Sequence, residues 1–539
     1  MHRAEAGPVS GRRLAQGALL LAALAALALL LDEASLHTYV GNSDGATVVL
    51  EGQAISAGHL ALSGWSMSLE SFWSIDAVVY AAVERVAGLH ADLLHLVPSF
   101  LAIGVVVAGA LLARRGCSGA ARPATVLAVV AIVGLPSPTL AFFLLQGPWH
   151  VGTVLWTLVA FGALTARRGG WLLFAVGALF LAAALLGDFM TLGIALLPVL
   201  LAGAATMARR RFAAGLRLAA AVPAAVALAA LGRLLATAIG TFTLVNRNVV
   251  ISRGQIGHNV SQLPGRLAAL FGVGNLPLDV THQSVAASVA HAVGLAGVLA
   301  AVGYGLWVLW RGIRRPQPEE DARLDDLLLF AVLGSIATFL LTAPSNNVDY
   351  LRYLLPAVLF AAVLAGRHLG HLVAALGDSQ PRRLVLGAGA ALSLAFFLDA
   401  TLYLDHPPPS PPAVALSSFL RAHDLRVGLG DYWSSSLVTV ESDGDVVVRP
   451  VTNNAAGNLL RYDRQSSDSW YAGVSFQFFV YDTRRPWRAV DTASAVATFG
   501  MPSHTYSVGS YRVLVWPRSV HLSPKLPHEA EPLNFYLRF

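Results

Sequence analysis

Apolar runs separated by short polar junctions fill the first three quarters of the chain. A helix needs about 20 mostly apolar residues to cross the hydrocarbon core of a bilayer. This pattern predicts an α-helical polytopic membrane protein with about eleven transmembrane helices. The eleven runs are Leu14–Leu31, Leu96–Leu112, Ala124–Leu145, Val151–Thr165, Trp171–Leu186, Thr191–Met207, Leu216–Ile239, Ala286–Trp310, Leu327–Leu341, Tyr353–Gly366 and Leu384–Leu398.

Arginine clusters fall at every second junction between these runs. Because cytoplasmic loops collect Lys and Arg, the alternation places the N-terminus in the cytoplasm and the C-terminus outside. No clear small-residue cleavage site follows the first run, so we expect an uncleaved first helix rather than a signal peptide. The clusters are Arg12/Arg13, Arg114/Arg115, Arg167/Arg168, Arg209–Arg211, Arg311/Arg314/Arg315, and Arg367 with Arg382/Arg383.

Three segments on the predicted outer side are long enough to have structure: 32–95, 240–285 and the chain after 404. The first joins two helices, and loops of that length are uncommon unless they are functional. The proline-rich segment 405–412 predicts a stiff linker between a transmembrane domain, 1–404, and an extracytoplasmic soluble α/β domain, 413–539. In that domain, strand-like runs alternate with helix-like runs. The strand-like runs are Arg426–Gly430, Val446–Val451, Val474–Tyr481 and Tyr511–Trp516, and the helix-like runs are Ala413–Ala422 and Arg488–Phe499.

Composition agrees with a lipid environment and narrows the function. Only 13% of the residues are charged, against about 25% in soluble proteins. The net charge of +6 comes from arginines placed between apolar runs, which indicates membrane topology and no nucleic-acid partner. Cys117 is the sole cysteine, which excludes an intramolecular disulfide and a cysteine metal site. No nucleotide-binding or H-E-x-x-H motif occurs, which disfavours an enzyme that uses soluble nucleotides.

The first long loop carries acids beside aromatic residues. Asp44 opens a helical stretch that ends at Gly58, and Glu51 lies two turns further on the same face. The aromatic-rich segment Trp65–Asp76 follows. Acids held next to interfacial aromatics predict a water-exposed site at the membrane surface. The alternative is that Asp44 only caps the helix and that the tryptophans only anchor the loop.

These segments resemble the GT-C superfamily of membrane glycosyltransferases, in particular the protein mannosyltransferases and aminoarabinose transferases, which use polyprenyl-phosphate sugars. The resemblance rests on Asp44 shortly after the first helix, on Ser74–Tyr80, similar to an Asp-x-Pro-x-x-Tyr segment, and on Asp349–Pro356, similar to an Arg-Tyr-x-x-Pro element. It covers the architecture of residues 10–404. This chain lacks the prolines of the second segment and has Gly45 where many relatives have a second acid. No cofactor is indicated, and a divalent metal is left open.

The resemblance implies a role for several residues. Asp44 would be the base that deprotonates the acceptor hydroxyl, and Asp76 a second acid that orients the acceptor. Arg352, with its neighbour Tyr353, would bind the donor phosphate, because a guanidinium offers two parallel hydrogen bonds. The alternative for Arg352 is an arginine that extends to the membrane surface from a helix end.

Other polar residues on the predicted outer side are further candidates for substrate binding. Arg247 and Arg253, in the 240–285 loop, are alternative phosphate ligands. His150 and Asp188 lie in short turns between helices, where capping and turn formation are the simpler roles. The aromatic segment Gly430–Trp433 is a candidate for stacking on sugar rings, although such residues more often pack in a core.

The sequence therefore predicts a membrane glycosyltransferase in a bacterial-type cell membrane. It would move a sugar from a polyprenyl-phosphate donor to an envelope glycan, glycolipid or protein on the outer face. Two alternatives stay open: a non-catalytic membrane scaffold or glycan-binding protein, and a lipid or solute transporter. If the chain is an enzyme, Asp44, Asp76 and Arg352 should converge on one cavity. A transporter would instead need a pathway that reaches both faces of the membrane.

Overall fold

The computed structural model describes residues 11–119, 121–166, 170–245, 251–274, 284–315, 322–342, 348–484 and 490–525. Within these ranges, helices dominate the chain as far as residue 404. They are α1 (Gly11–Thr38), α2 (Ser43–Ser56), α3 (Asp76–Ala87), α4 (Leu93–Ala113), α5 (Ala121–Val129), α6 (Pro138–Leu144), α7 (Val151–Leu164), α8 (Trp171–Gly187), α9 (Leu197–Ala208), α10 (Phe212–Ala219), α11 (Ala221–Ala238), α12 (Arg253–Leu270), α13 (Val285–Arg314), α14 (Ala322–Thr342), α15 (Leu355–Ala375) and α16 (Gln380–Leu404). Two π-helical segments, Val130–Gly134 and Leu192–Leu196, precede α6 and α9, and a 3₁₀ turn, Val348–Tyr353, precedes α15.

The described helices are those of a multi-pass membrane protein. Seven segments are long and apolar enough to span a bilayer, and an eighth is a pair of helices, 121–134 and 138–144, bent by 83°. The bend falls at Pro136 and Pro138, which cannot continue the helical hydrogen-bond ladder, and Ser137 caps the second helix by accepting a hydrogen bond from Leu140 N. Three shorter apolar helices occupy the remaining predicted runs. The count of eleven spans therefore stays a prediction.

Arginines from the basic junctions meet at the end of the helix bundle that lies away from the first long loop. This end is called the far end below. Arg115 donates to the carbonyl of Gly162 at the end of α7. Arg367 donates to the carbonyls of Leu112 and Arg115 at the end of α4. Such contacts satisfy carbonyls that have no partner in the last turn of a helix. The clusters around Arg115 and Arg367 thus share one end of the bundle, as their alternation predicts.

The loop between α1 and α4 is ordered and packs against the helices. It holds α2, a short strand β1 (Trp65–Met67) and α3. Its backbone joins the turn after α8, because Phe72 N donates to Gly187 O at 2.7 Å and Glu70 forms a backbone bridge with Asp188. The predicted functional loop is therefore a fixed layer over one end of the bundle.

A C-terminal strand-containing domain follows the proline-rich segment. A six-stranded sheet forms its centre. Its order is β5 (Leu459–Arg461), β4 (Val447–Asn453), β3 (Val427–Gly430), β7 (Phe476–Asp482), β9 (Tyr511–Val520) and β8 (His504–Val508). β3 is parallel to β4 and β7, and the other pairs are antiparallel. The four predicted strands and both predicted helices are present, although residues 488–489 of the second lie outside the described residues. The elements, after β2 (Thr243–Leu244), are α17 (Pro412–Ala422), β3 (Val427–Gly430), α18 (Tyr432–Glu441), β4 (Val447–Asn453), β5 (Leu459–Arg461), β6 (Ser466–Ser467), a 3₁₀ turn (Asp468–Trp470), β7 (Phe476–Asp482), α19 (Thr492–Phe499), β8 (His504–Val508) and β9 (Tyr511–Val520).

A second, small sheet joins three distant parts of the chain. β1 of the first loop pairs in parallel with β2 and antiparallel with β6 of the C-terminal domain. Arg461 reinforces this junction by donating to Gly64 O and Ser66 Oγ, both at 3.2 Å. The C-terminal domain is therefore docked on the first loop.

Candidate functional site

A cavity of about 500 Å³ opens where the first loop, the start of α15 and the C-terminal domain meet. Each of these parts contributes polar and aromatic side chains to its wall. Those used below are Asp44, Glu70, Trp149, Arg352, Tyr353, Tyr432, Trp433, Arg464 and Gln465.

Asp44 faces this cavity from the first turn of α2. The helix is capped by Asn42, whose side chain accepts a hydrogen bond from Gly45 N at 2.9 Å. Asp44 is therefore not the capping residue, and its carboxylate is available for other partners. It accepts a hydrogen bond from the hydroxyl of Tyr432, and its Oδ2 lies 4.0 Å from Arg352 Nη1. The capping alternative for Asp44 is thus wrong.

Arg352 reaches the cavity from the 3₁₀ turn before α15. Its guanidinium lies 5.3 Å from the ring centre of Trp149 and 5.2 Å from that of Tyr353. A cation near an aromatic face is attracted by the electrons of the ring. The charge is therefore held by aromatic groups and by Asp44, and its side chain keeps 20% of its surface exposed.

Tyr353 links Arg352 to a further acid in the first loop. Its hydroxyl donates to Glu70 Oε1 at 2.7 Å. Glu70 lies in the cavity wall, and sequence reasoning did not single it out. The signal that could have identified Glu70 is its charge, since it lies within the aromatic segment Trp65–Asp76.

His150 and Asp188 form a buried pair behind the cavity wall. His150 Nδ1 and Asp188 Oδ2 are 2.7 Å apart, and neither side chain is more than 1% exposed. Asp188 also accepts hydrogen bonds from Thr153 Oγ1 at 2.6 Å and from Met190 N at 2.8 Å. The ring of His150 lies 5.1 Å from that of Tyr353. The pair thus supports the residues that line the cavity and does not line it.

Asp76 and Glu51 lie in the interior of the first loop and do not line the cavity. Both are completely buried, and no hydrogen-bond partner of either carboxylate occurs among the described residues. Burial, with the charge of Asp188 nearby, raises the pKa of Asp76 to about 8. Burial also raises the pKa of Glu51, and Asp76 adds to that shift. At neutral pH Asp76 is therefore protonated. Asp44 and Arg352 therefore meet in the cavity wall, whereas Asp76 is buried behind it. The prediction that all three residues converge on one cavity is wrong for Asp76.

The C-terminal domain also supplies residues to the cavity wall. The sequence identified the aromatic segment that contains Tyr432 and Trp433, but not Arg464 or Gln465. Tyr432 contacts both Asp44 and the side-chain amide of Gln465, and Arg464 lines the same wall. Trp433, one of the aromatic candidates, also lines it. Arg247 lies outside the described residues. The contribution of this domain depends on contacts between distant parts of the chain, which local patterns do not contain.

The cavity combines groups suited to two chemical tasks. The Asp44 carboxylate can accept a proton, and the guanidinium groups of Arg352 and Arg464 can bind an anion. Among the residues that the structure describes, no group of three metal ligands meets at this cavity; one such group lies at the far end. The groups present here therefore suit acid–base and anion-binding chemistry.

Solved structures share this architecture. ArnT from Cupriavidus metallidurans in the apo state matches with a TM-score of 0.55 and 14% sequence identity, over 93% of this chain and 98% of that one. ArnT bound to undecaprenyl phosphate matches with a TM-score of 0.56 and 13% identity, over 96% and 100%. No protein-family model matches the sequence, and no curated protein matches it. The chain therefore shares the fold of these ArnT structures.

Proposed function

We propose that this chain is a membrane glycosyltransferase that moves a sugar from a polyprenyl-phosphate donor to an envelope glycan, glycolipid or protein. The observation that carries the proposal is the meeting of Asp44 and Arg352, 4.0 Å apart, in the wall of one 500 Å³ cavity. A GT-C fold shared with a protein that binds undecaprenyl phosphate supports the choice of donor.

Asp44 acts as the general base in this proposal. It removes the proton from the acceptor hydroxyl as the oxygen attacks the anomeric carbon. The bond between that carbon and the phosphate oxygen breaks, and polyprenyl phosphate leaves with the bonding electrons. Arg352 stabilises the negative charge that develops on the departing phosphate. The donor phosphate thereby replaces Asp44 as the anionic neighbour of Arg352, which leaves the carboxylate to accept the proton.

The residues around this pair hold it in position. Tyr432 orients Asp44 through its hydrogen bond, and Glu70 fixes Tyr353 beside Arg352. Arg464 is a second cation for the phosphate, and Trp433 offers an aromatic surface for a sugar ring. Asp76 and Glu51 lie behind this layer as buried acids that shape the first loop.

We place the cavity on the outer face of a cell membrane, with the N-terminus in the cytoplasm. The arginines gathered at the far end of the bundle support this orientation, because basic residues are retained on the cytoplasmic side. The proline-rich segment 405–412 then leads to an extracytoplasmic domain, 413–539.

The first experiment measures transfer from a panel of radiolabelled polyprenyl-phosphate sugars in membranes that contain wild type, Asp44→Asn or Asp92→Asn. Asp92 is an exposed acid of the same loop and serves as the matched control. The proposal expects transfer by wild type and Asp92→Asn and a loss of at least roughly 100-fold in Asp44→Asn. Undiminished transfer by folded Asp44→Asn would remove Asp44 as the base.

The scaffold and transporter alternatives give different results in the same membranes. A scaffold retains no donor lipid and transfers no sugar from any member of the panel. A transporter moves labelled lipid between leaflets of vesicles without forming a new glycosidic product. Formation of that product by wild type separates the enzyme from both alternatives.

A further inference from the structure

Three side chains that can bind a metal meet at the far end of the bundle. Asp325 lies in the first turn of α14, and His368 and His371 lie near the end of α15. Their ligand atoms all lie within 4.8 Å of one another. Histidines three positions apart on a helix share one face, so both rings can approach Asp325. His368 is 13 residues after the start of α15, roughly 20 Å from the Asp44 cavity along the helix axis.

His368 has ring nitrogens that the described structure leaves without a hydrogen bond. The residue is only 8% exposed, and neither Nδ1 nor Nε2 has a partner among the described residues. Buried polar atoms are nearly always satisfied by protein, water or an ion. A metal ion that accepts the lone pair of one ring nitrogen would give that nitrogen a partner.

Asp325 is already oriented by a neighbour. Its Oδ1 accepts a hydrogen bond from Arg367 Nε, and Arg367 is itself fixed by the carbonyls of Leu112 and Arg115. Residues that hold a ligating carboxylate in this way are typical of metal sites. The second oxygen of Asp325 stays available to an ion.

The three ligands also line the wall of a second cavity, of about 830 Å³. An ion bound by them keeps a coordination position that opens into this cavity. Tetrahedral zinc, with bonds of about 2.0–2.1 Å, needs ligand atoms roughly 3.4 Å apart. The ligand atoms, now within 4.8 Å of one another, must therefore approach by at most about 1.4 Å to hold the ion. Two imidazoles and a carboxylate are ligands that suit zinc rather than magnesium or calcium.

We propose that Asp325, His368 and His371 form a zinc site that joins α14 to α15 at the far end of the bundle, separate from the Asp44 cavity. The fourth position is open to water or to a small anion from the 830 Å³ cavity. The site connects two helices whose other ends border the Asp44 cavity.

The test uses the full chain purified in detergent and freed of metal with a chelator. Zinc is added back, and bound zinc per chain and the apparent Tm are measured for wild type, His371→Ala, His368→Ala and His258→Ala. His258 is an exposed histidine on α12 and serves as the matched control. In wild type and His258→Ala we expect one bound zinc ion per chain and a Tm that rises when zinc is added. In His368→Ala and His371→Ala we expect an affinity for zinc at least tenfold lower.

Cobalt provides a second readout that does not depend on activity. The absorption bands of tetrahedral cobalt should appear in wild type and be absent in His371→Ala. His371 is partly exposed, so this variant decides the question even where His368→Ala fails to fold. A folded wild type that binds no zinc, or zinc binding unchanged in His371→Ala, would overturn the site. Neither outcome bears on sugar transfer, because the Asp44→Asn experiment tests that separately.

Discussion

Tyr432, at the start of α18, donates a hydrogen bond to Asp44 of α2, which lies 388 positions earlier in the chain. The same hydroxyl contacts Gln465, so a second segment of the C-terminal domain holds the phenol that meets this carboxylate. Burial, together with the charge of Asp44, raises the pKa of Tyr432 well above its usual value. The phenol therefore stays protonated and can donate at any physiological pH.

Replacing Tyr432 by Phe removes that donor while the ring remains. A hydrogen bond to a charged group contributes about 1.5–3 kcal/mol, so we expect kcat for sugar transfer to fall roughly 10- to 100-fold. Tyr506→Phe, in β8, is the matched control and should transfer at the wild-type rate. An unchanged kcat in Tyr432→Phe would show that the C-terminal domain does not act through Asp44.

Replacing Arg352 by Lys keeps the positive charge but removes the planar group that can donate two parallel hydrogen bonds. We expect the KM for the donor lipid to rise roughly tenfold, because the phosphate loses one of its contacts. Arg352→Ala should lose more, since it also removes the charge. Initial rates at varied donor concentration measure the effect, and Arg85→Lys, exposed in the last turn of α3, is the control. A KM that stays at the wild-type value in Arg352→Lys would argue against a direct phosphate contact.

Asp76 should make the protein less stable as the pH rises. Its pKa is about 8 in the folded chain against an ordinary value of 3.8, so the folded state holds one more proton between these values. Stability contributed by the protonated acid is therefore present at low pH and is lost as the pH rises through 8. Asp76→Asn keeps the neutral form, and we expect its apparent Tm at pH 8 to exceed that of wild type by about 2–4 °C.

The same variant tests whether Asp76 takes part in chemistry. Because Asn resembles the protonated acid, Asp76→Asn should retain most of the transfer activity. Its Tm should also depend less on pH than that of wild type or Asp92→Asn, as followed by thermal unfolding in detergent from pH 5 to 9. A large loss of activity with normal stability would instead return Asp76 to the role of a second catalytic acid.

The His150–Asp188 pair should be important for stability. Removing one partner of a buried ion pair costs about 3–5 kcal/mol because the other charge stays buried. Asp188→Asn should therefore lower the apparent Tm, and the double variant His150→Leu with Asp188→Leu should recover part of the loss. The exposed pair His90–Asp443, 3.5 Å apart, offers a control, since Asp443→Asn should change little. Equal effects of Asp188→Asn and Asp443→Asn would contradict this role.

Short motifs that resemble those of a known family pointed to Asp44 and Arg352, and both residues lie in the cavity wall. The sequence did not point to Glu70, Arg464 or Gln465, which lie in the same wall. Asp44 and Arg352 stand at the start of a helix next to a recognisable segment, and short-range information places them. Asp76 belongs to a similar segment, yet the packing of α3 against α2 buries it, and packing is not written in a local motif. The contact of Tyr432 with Asp44 depends on a separation of 388 residues, which no period or spacing reveals.

Helix α18 shows the same limit at the level of secondary structure. Its sequence, YWSSSLVTVE, is rich in serine and β-branched residues, which have low helix propensity. Asp431 caps it by accepting a hydrogen bond from Ser434 N at 3.2 Å, and Thr47 of α2 donates to Ser436 at 2.9 Å. Tertiary contacts thus stabilise a helix that the pattern does not predict.

The small sheet of β1, β2 and β6 has a consequence for how this protein can be divided. Cutting the chain at the proline-rich segment would leave β1 without its antiparallel partner β6 and Asp44 without the hydroxyl of Tyr432. The two halves should therefore be inactive when made alone and should regain transfer when expressed together as separate polypeptides. A chimera that takes its C-terminal domain from a relative would need the matching first loop from the same relative, because the pairing of β1 with β6 and the contact of Tyr432 with Asp44 require both segments.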